Sequence, residues 1–195
     1  MTERTLRVLL LEDSRDDGEL IEHALRRGGL RVSAQRVTTQ NEFTQALRDF
    51  APDVVLSDHG LTQFNAPAAL QVLRTVRPAT PLIVVSGALD APMAVTCIRA
   101  GVETLVPKDS LDRLPAAIEA ALTVRKPIAA LSPRQMQVLC LVAQGLTTKQ
   151  IAERLQISDK TVETHRGEIM KRTGIHDVVS LVRFAIRLGV VPAAE

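Results

Sequence analysis

Short apolar runs recur through the first two thirds of the chain. Each is too short for a helix of its own and each is followed by a helical stripe, an alternation that constrains the fold more than any other feature. Residues 6–11 lead into a stripe carrying Leu20, Ile21, Ala24 and Leu25, and residues 31–37 into one carrying Phe43, Ala46 and Leu47. The runs 54–57, 82–85 and 104–106 precede helical segments over 66–75, 91–100 and 111–124. Five βα units in succession predict an α/β domain, a doubly wound five-stranded parallel sheet with helices on both faces.

A chain of 195 residues with 46% apolar content can bury a sizeable core, which excludes disordered and collagen-like classes. No apolar run is long enough to span a bilayer, and residues 1–7 lead into a strand without the apolar core of a signal peptide, so a cytoplasmic protein with no membrane partner is expected. Cys97 and Cys140 sit in helical patterns without metal-site spacing and read as reduced, packed side chains. Charge is unevenly spread. Residues 1–124 hold 13 Lys and Arg against 16 Asp and Glu, whereas residues 131–195 hold 9 against 6. The basic C-terminal part permits a nucleic-acid partner.

In an open parallel sheet, chemistry collects at the carboxyl ends of the strands. Those ends carry Glu12 and Asp13 after the first strand, Asp58 followed by His59 and Gly60 after the third, Ser86 and Gly87 after the fourth, and Lys108 after the fifth. Three carboxylates about 5 Å apart repel by roughly 3 kcal/mol per pair at an effective dielectric near 20, so the cluster calls for a cation. Oxygen ligands in a pocket open to phosphate suit Mg²⁺. Asp58 could then attack a phosphoryl group while Ser86 and Lys108 bind the transferred oxygens. His59 has no recognisable base partner and reads as a rim residue.

With these five positions in order, residues 5–124 resemble the receiver domain of two-component response regulators. The resemblance implies a flavodoxin-like fold, Asp58 as phosphoacceptor, and Mg²⁺ held by Asp13, Asp58 and the Gly60 carbonyl, with Glu12 acting largely through water. It also implies a cognate histidine kinase or phosphotransfer protein as partner. Three positions depart from the family's pattern: Thr62 and Asp109 stand where proline is usual, and Leu105 replaces the aromatic switch residue of the fifth strand. None of them is a ligand, so the departures bear on signalling rather than on phosphorylation.

Residues 125–130 read as a short linker, because Pro127 disfavours helix at Lys126. Beyond it, Ser132, Pro133 and Gln135 occupy N-cap, N1 and N3 of a helix that runs towards Gly145. Helices over 148–155, 159–173 and 177–188 complete a small all-α four-helix domain, and the tight turn at 156–158 matches helix-turn-helix. On the third of these helices Val162, Ile169 and Thr173 face inward, while Lys160, Glu163, Thr164, Gly167 and Lys171 form a polar, mildly basic outer face.

Residues 131–191 resemble the LuxR-type DNA-binding domain, in Leu-Ser-Pro-Arg-Gln at 131–135, in Leu-Val-Ala-Gln-Gly-Leu-Thr-Thr-Lys-Gln-Ile-Ala-Glu-Arg-Leu at 141–155 and in Thr-Val-Glu-Thr-His-Arg at 161–166. The resemblance implies base contacts from Glu163, Thr164 and the neighbourhood of Gly167, and phosphate contacts from Thr148, Lys149, Lys160, Thr161, Arg166 and Lys171. His165 lies nearer the core side, where a structural hydrogen bond is expected. Together the two resemblances imply a response regulator of the NarL/FixJ type, binding double-stranded promoter DNA as a homodimer, with residues 1–124 as receiver and 131–195 as DNA-binding domain. Two other classes stay in view. An aspartate-nucleophile phosphatase would want a second acid two residues after Asp58, where Gly60 stands, and a phosphate-independent interaction module would suit the departures at 62, 105 and 109.

Overall fold

Alternation along the three central strands, which are largely buried, gives the sheet two apolar faces, and the helices cover both. The computed structural model describes residues 5–61, 64–87 and 91–190; Thr62 lies outside them. The chain divides into two compact units, Met1–Val124 and Arg125–Glu195.

In the first unit β1 (Leu6–Leu11), β2 (Val32–Val37), β3 (Val54–Asp58), β4 (Leu82–Ser86) and β5 (Thr104–Pro107) pair in parallel in the order β2-β1-β3-β4-β5. Between them run α1 (Arg15–Arg27), α2 (Gln40–Asp49), α3 (Ala66–Val76) and α4 (Ala91–Ala100). Leu9, Leu11, Val55, Leu82 and Val84 point to one face, packed with Phe43 and Leu47 of α2, Leu70 and Leu73 of α3 and Cys97 of α4. Val8, Leu10, Val54, Leu56, Ile83 and Val85 point to the other, with Ile21 and Leu25 of α1 and Ile118 of the helix after β5. Each such large side chain, once buried, contributes about 1.5–3 kcal/mol. All five parallel strands, the helices between them and the helical C-terminal part agree with the sequence expectation.

The segment after β5 differs. A 3-10 turn spans Lys108–Arg113, broken at Ser110, and α5 (Leu114–Ala129) begins three residues later than expected, with Pro115 in its first turn, where no N–H is needed. Residues 125–129, read as linker, are helical, and Pro127 lies within the helix. Proline there removes one backbone hydrogen bond, yet Ala130 N–H donates to Lys126 O at 3.2 Å beyond it. Burial of the apolar Ile128 side chain offsets the loss.

The second unit holds α6 (Pro133–Ala143), α7 (Thr148–Leu155), α8 (Asp159–Thr173) and α9 (Val178–Arg187). Ser132, Thr147, Ser158 and Asp177 each cap a helix by accepting a backbone N–H three residues on, and at Ser132 and Thr147 a glutamine completes a capping box. Between α7 and α8 Gln156 takes a left-handed conformation at φ 54°, which turns the chain tightly. Val138, Leu139, Ile151, Val162, Ile169, Leu181 and Ala185 are fully buried.

Candidate functional site

Register brings the expected residues of the first unit to one rim. Leu11 pairs with Ser57, so Glu12 and Asp58 follow at adjacent strand ends; Asp58 pairs with Val85 and Ser86 with Pro107, so Ser86 and Lys108 lie next along the same edge. Carboxylate oxygens of Glu12, Asp13 and Asp58 lie within 4.8 Å of one another. Lys108 Nζ donates to Glu12 Oε2 at 2.9 Å and to Asp17 Oδ2 at 2.5 Å, and sits 3.5 Å from Asp58 Oδ2. Gly60 is exposed, and a Cβ there would come within 3.1 Å of Asp58 Oδ2, so glycine keeps that side of the acceptor clear. Ser86 is buried at the strand tip.

Burial pushes the Glu12 carboxyl above its ordinary value; its bonds from Lys108 and from the Ser14 N–H oppose this, while the charge of Asp58 adds to it. Burial alone would lower the Lys108 ammonium, but hydrogen bonds to Asp17 and Glu12 and the charge of Asp58 outweigh it and raise the group above its usual value. Lys108 is therefore a fixed cation. One ammonium among four carboxylates leaves negative charge uncompensated, and an all-oxygen donor set of Glu12, Asp13 and Asp58 fits a hard divalent cation.

Two further side chains complete this rim, and nothing in their spacing announced either. Asp17 lies in the first turn of α1, and its carboxylate reaches Lys108 only in the folded chain. Arg36 of β2 donates from Nη1 to the carbonyls of Glu12 and Asp13 at 2.9 and 3.0 Å, tying down the loop that carries both acids. Its stem passes over Gly18, where a Cβ would lie 3.3 Å from Arg36 Cδ. His59 is half-buried, and its Nδ1 has no hydrogen-bond partner among the described residues. Leu105 is half-buried and packs against the core that contains Cys97 and Val102. Asp109 accepts a hydrogen bond from the Ser110 hydroxyl in the 3-10 turn.

In the second unit, α8 buries Val162 and Ile169 and exposes Lys160, Glu163, Thr164, Gly167 and Lys171. A Cβ on Gly167 would meet nothing within 4 Å, so the middle of that face is open. Arg166 Nη1 donates to Thr148 Oγ1 at 3.0 Å, joining α8 to the start of α7, where Lys149 is exposed. The Thr161 hydroxyl lies 2.8 Å from that of Ser158, the N-cap of α8. His165 is half-buried on the flank of α8 and makes no hydrogen bond among the described residues, so the expected structural bond is not formed.

The response regulator receiver domain profile matches residues 8–119, and that of the bacterial regulatory proteins of the luxR family matches residues 129–185. The chain is 30% identical over 172 residues to the transcriptional regulatory protein FixJ of Rhizobium meliloti (strain 1021), across 78% of this chain and 84% of the relative. The crystal structure of full-length FixJ from B. japonicum aligns with a TM-score of 0.55 at 24% identity, covering 96% of this chain and 100% of that one. RcsB from Salmonella enterica serovar Typhimurium bound to promoter rprA aligns with a TM-score of 0.52 at 19% identity, covering 92% and 98%. At these identities the solved structures speak to the fold. Among the described residues no helix is long and apolar enough to cross a membrane.

Proposed function

The chain belongs to the two-component response regulators, with a receiver domain and a LuxR-type DNA-binding domain, and from that premise we propose that phosphorylation of Asp58 controls its binding to promoter DNA. The observation that carries this reading is the convergence of the Glu12, Asp13 and Asp58 carboxylates with the Lys108 ammonium at one strand rim. Asp58 is the acceptor: it lies beside Lys108, half-shielded, with Gly60 leaving an open approach. Glu12, Asp13, Asp58 and the Gly60 carbonyl would hold Mg²⁺, which when bound offsets charge on the phosphoryl oxygens. The Ser86 hydroxyl and Lys108 bind those oxygens after transfer. The donor is a histidine kinase or phosphotransfer protein, and the receiver assists its own phosphorylation and dephosphorylation.

Residues 1–124 act as receiver and 131–195 as DNA-binding domain. On α8, Glu163, Thr164 and the surface around Gly167 meet base edges, while Thr148, Lys149, Lys160, Thr161, Arg166 and Lys171 meet phosphates. The protein binds paired half-sites as a homodimer in the cytoplasm. A few kcal/mol of differential stabilisation by the acyl phosphate is enough to shift most of the population between two states.

Mass spectrometry after acetyl phosphate and Mg²⁺ treatment tests the acceptor. An acid-labile adduct is expected on the natural chain and none on Asp58→Asn; equal labelling of both would remove Asp58 from the role. For DNA, Lys160→Ala should weaken binding to all sequences alike and reduce the salt slope by about one unit. Glu163→Ala should cost about 1–3 kcal/mol at particular base pairs only.

A further inference from the structure

Of the three carboxylates around the Lys108 ammonium, that of Asp17 is nearest, at 2.5 Å against 2.9 Å for Glu12 and 3.5 Å for Asp58. It comes not from a strand end but from the first turn of α1, and its side chain is 35% exposed against 2% for Glu12. An ammonium has three hydrogens to give. Two are committed to Glu12 and Asp17, and Asp58 is left at the longer distance.

An anion on Asp58 can take the third hydrogen, but drawing the ammonium in from 3.5 Å competes with the two bonds that hold it. Releasing Glu12 would strand a buried carboxylate, a costly exchange, whereas Asp17 can take water in place of the ammonium. Resting on the reading of Asp58 as phosphoacceptor, we infer that Asp17 is a positioning residue of this pocket: its carboxylate holds Lys108 back from Asp58 and yields it when an anion binds there. Asp17 thus sets how tightly the pocket takes a phosphoryl group. Its backbone N–H, which donates to Ser14 Oγ at 3.2 Å, caps α1 whatever side chain it carries, so Asp17→Asn removes the charge and leaves the cap.

The test uses the full chain with saturating Mg²⁺ and beryllium fluoride as the phosphoryl mimic. Because the protein has no Trp or Tyr, binding is read by ¹⁹F NMR or calorimetry. Asp17→Asn should tighten beryllofluoride binding by about fivefold while Mg²⁺ affinity stays within about twofold of the natural protein or falls slightly. Asp17→Glu, which restores the charge, should return beryllofluoride affinity towards that of the natural protein. Asp16→Asn, in the same helical turn, should change neither affinity. Unchanged or weaker beryllofluoride binding by Asp17→Asn overturns the inference, as does equal tightening by Asp16→Asn, which would make the effect one of general charge. A purely structural role would lower both affinities along with the melting temperature. If the natural protein itself takes no beryllofluoride, the acceptor reading fails and this inference with it; binding by the natural protein with an insensitive Asp17→Asn overturns the inference alone.

Discussion

At the rim of the sheet the polar groups are crowded and enclosed, with side-chain exposure of 2% at Glu12 and 13% at Asp58, whereas on α8 Lys160, Glu163, Thr164, Gly167 and Lys171 all stand in solvent. The first arrangement is made by tertiary structure, from β1, α1, β3 and the turn after β5, and it works against stability because like charges share a small space. The second is made by one helix's periodicity and costs the fold almost nothing. Substitutions should therefore act with larger effects in the first unit than in the second.

The largest contrast is steric. A Cβ at Gly28 would lie 2.3 Å from Pro115 Cγ at the foot of α5, so Gly28→Ala should destabilise the first unit by about 2 kcal/mol. Hydrogen exchange followed by mass spectrometry, read separately for residues 5–124 and 125–190, measures it; equal loss of protection in both would break the contrast. Next comes Asp58→Asn. Removing one carboxylate from the Glu12, Asp13 and Asp58 cluster should raise the first unit's stability by about 1 kcal/mol without Mg²⁺ and abolish the stabilisation that added Mg²⁺ gives the natural chain. A fall in its melting temperature would mean that the pair with Lys108 outweighs repulsion among the acids.

Smaller is Gly167→Ala. With nothing within 4 Å of the added methyl, only helix propensity changes, and the second unit should gain about 0.5–1 kcal/mol in chemical denaturation. A loss there would show that the outer face of α8 is packed. The smallest effect is a pH dependence confined to α9. The hydrogen bond from the Ser180 N–H holds the Asp177 carboxyl below its ordinary value, so its contribution is present above that value and is lost as pH falls below about 4. Amide protection of α9 should decline over that range, and Asp177→Asn, which keeps a capping oxygen, should remove the dependence.

What could be read from the sequence follows the same division. The strands were legible because residues 54–56 and 82–85 are apolar throughout, as strands buried on both faces must be. The helices of the second unit were legible because residues such as Ser132 and Ser158 state their starts locally. Glu12, Asp13, Asp58, Ser86 and Lys108 stood out because strand ends in parallel sheets share a rim. Asp17 and Arg36 did not, since a helix-start acid and a strand arginine look ordinary until the folded chain brings them to Lys108 and to the Glu12 carbonyl. Pro127 misled for a related reason: its local preference against helix is overridden by burial of the residues beside it.

The distance along the chain between the acids and Lys108 has a consequence for biosynthesis. Glu12 and Lys108 are 96 positions apart, and the ammonium follows β5, the last strand to be made. A nascent chain with β1 to β4 in place would carry Glu12, Asp13, Asp17 and Asp58 at one edge with no lysine to offset them. Docking of β5 therefore brings more than apolar surface, because it supplies the counter-charge that lets the edge close. A chain released before residue 108 would keep Arg36 beside the acidic loop but lack the Lys108 ammonium, and its folding should depend more steeply on added cations than that of the finished protein.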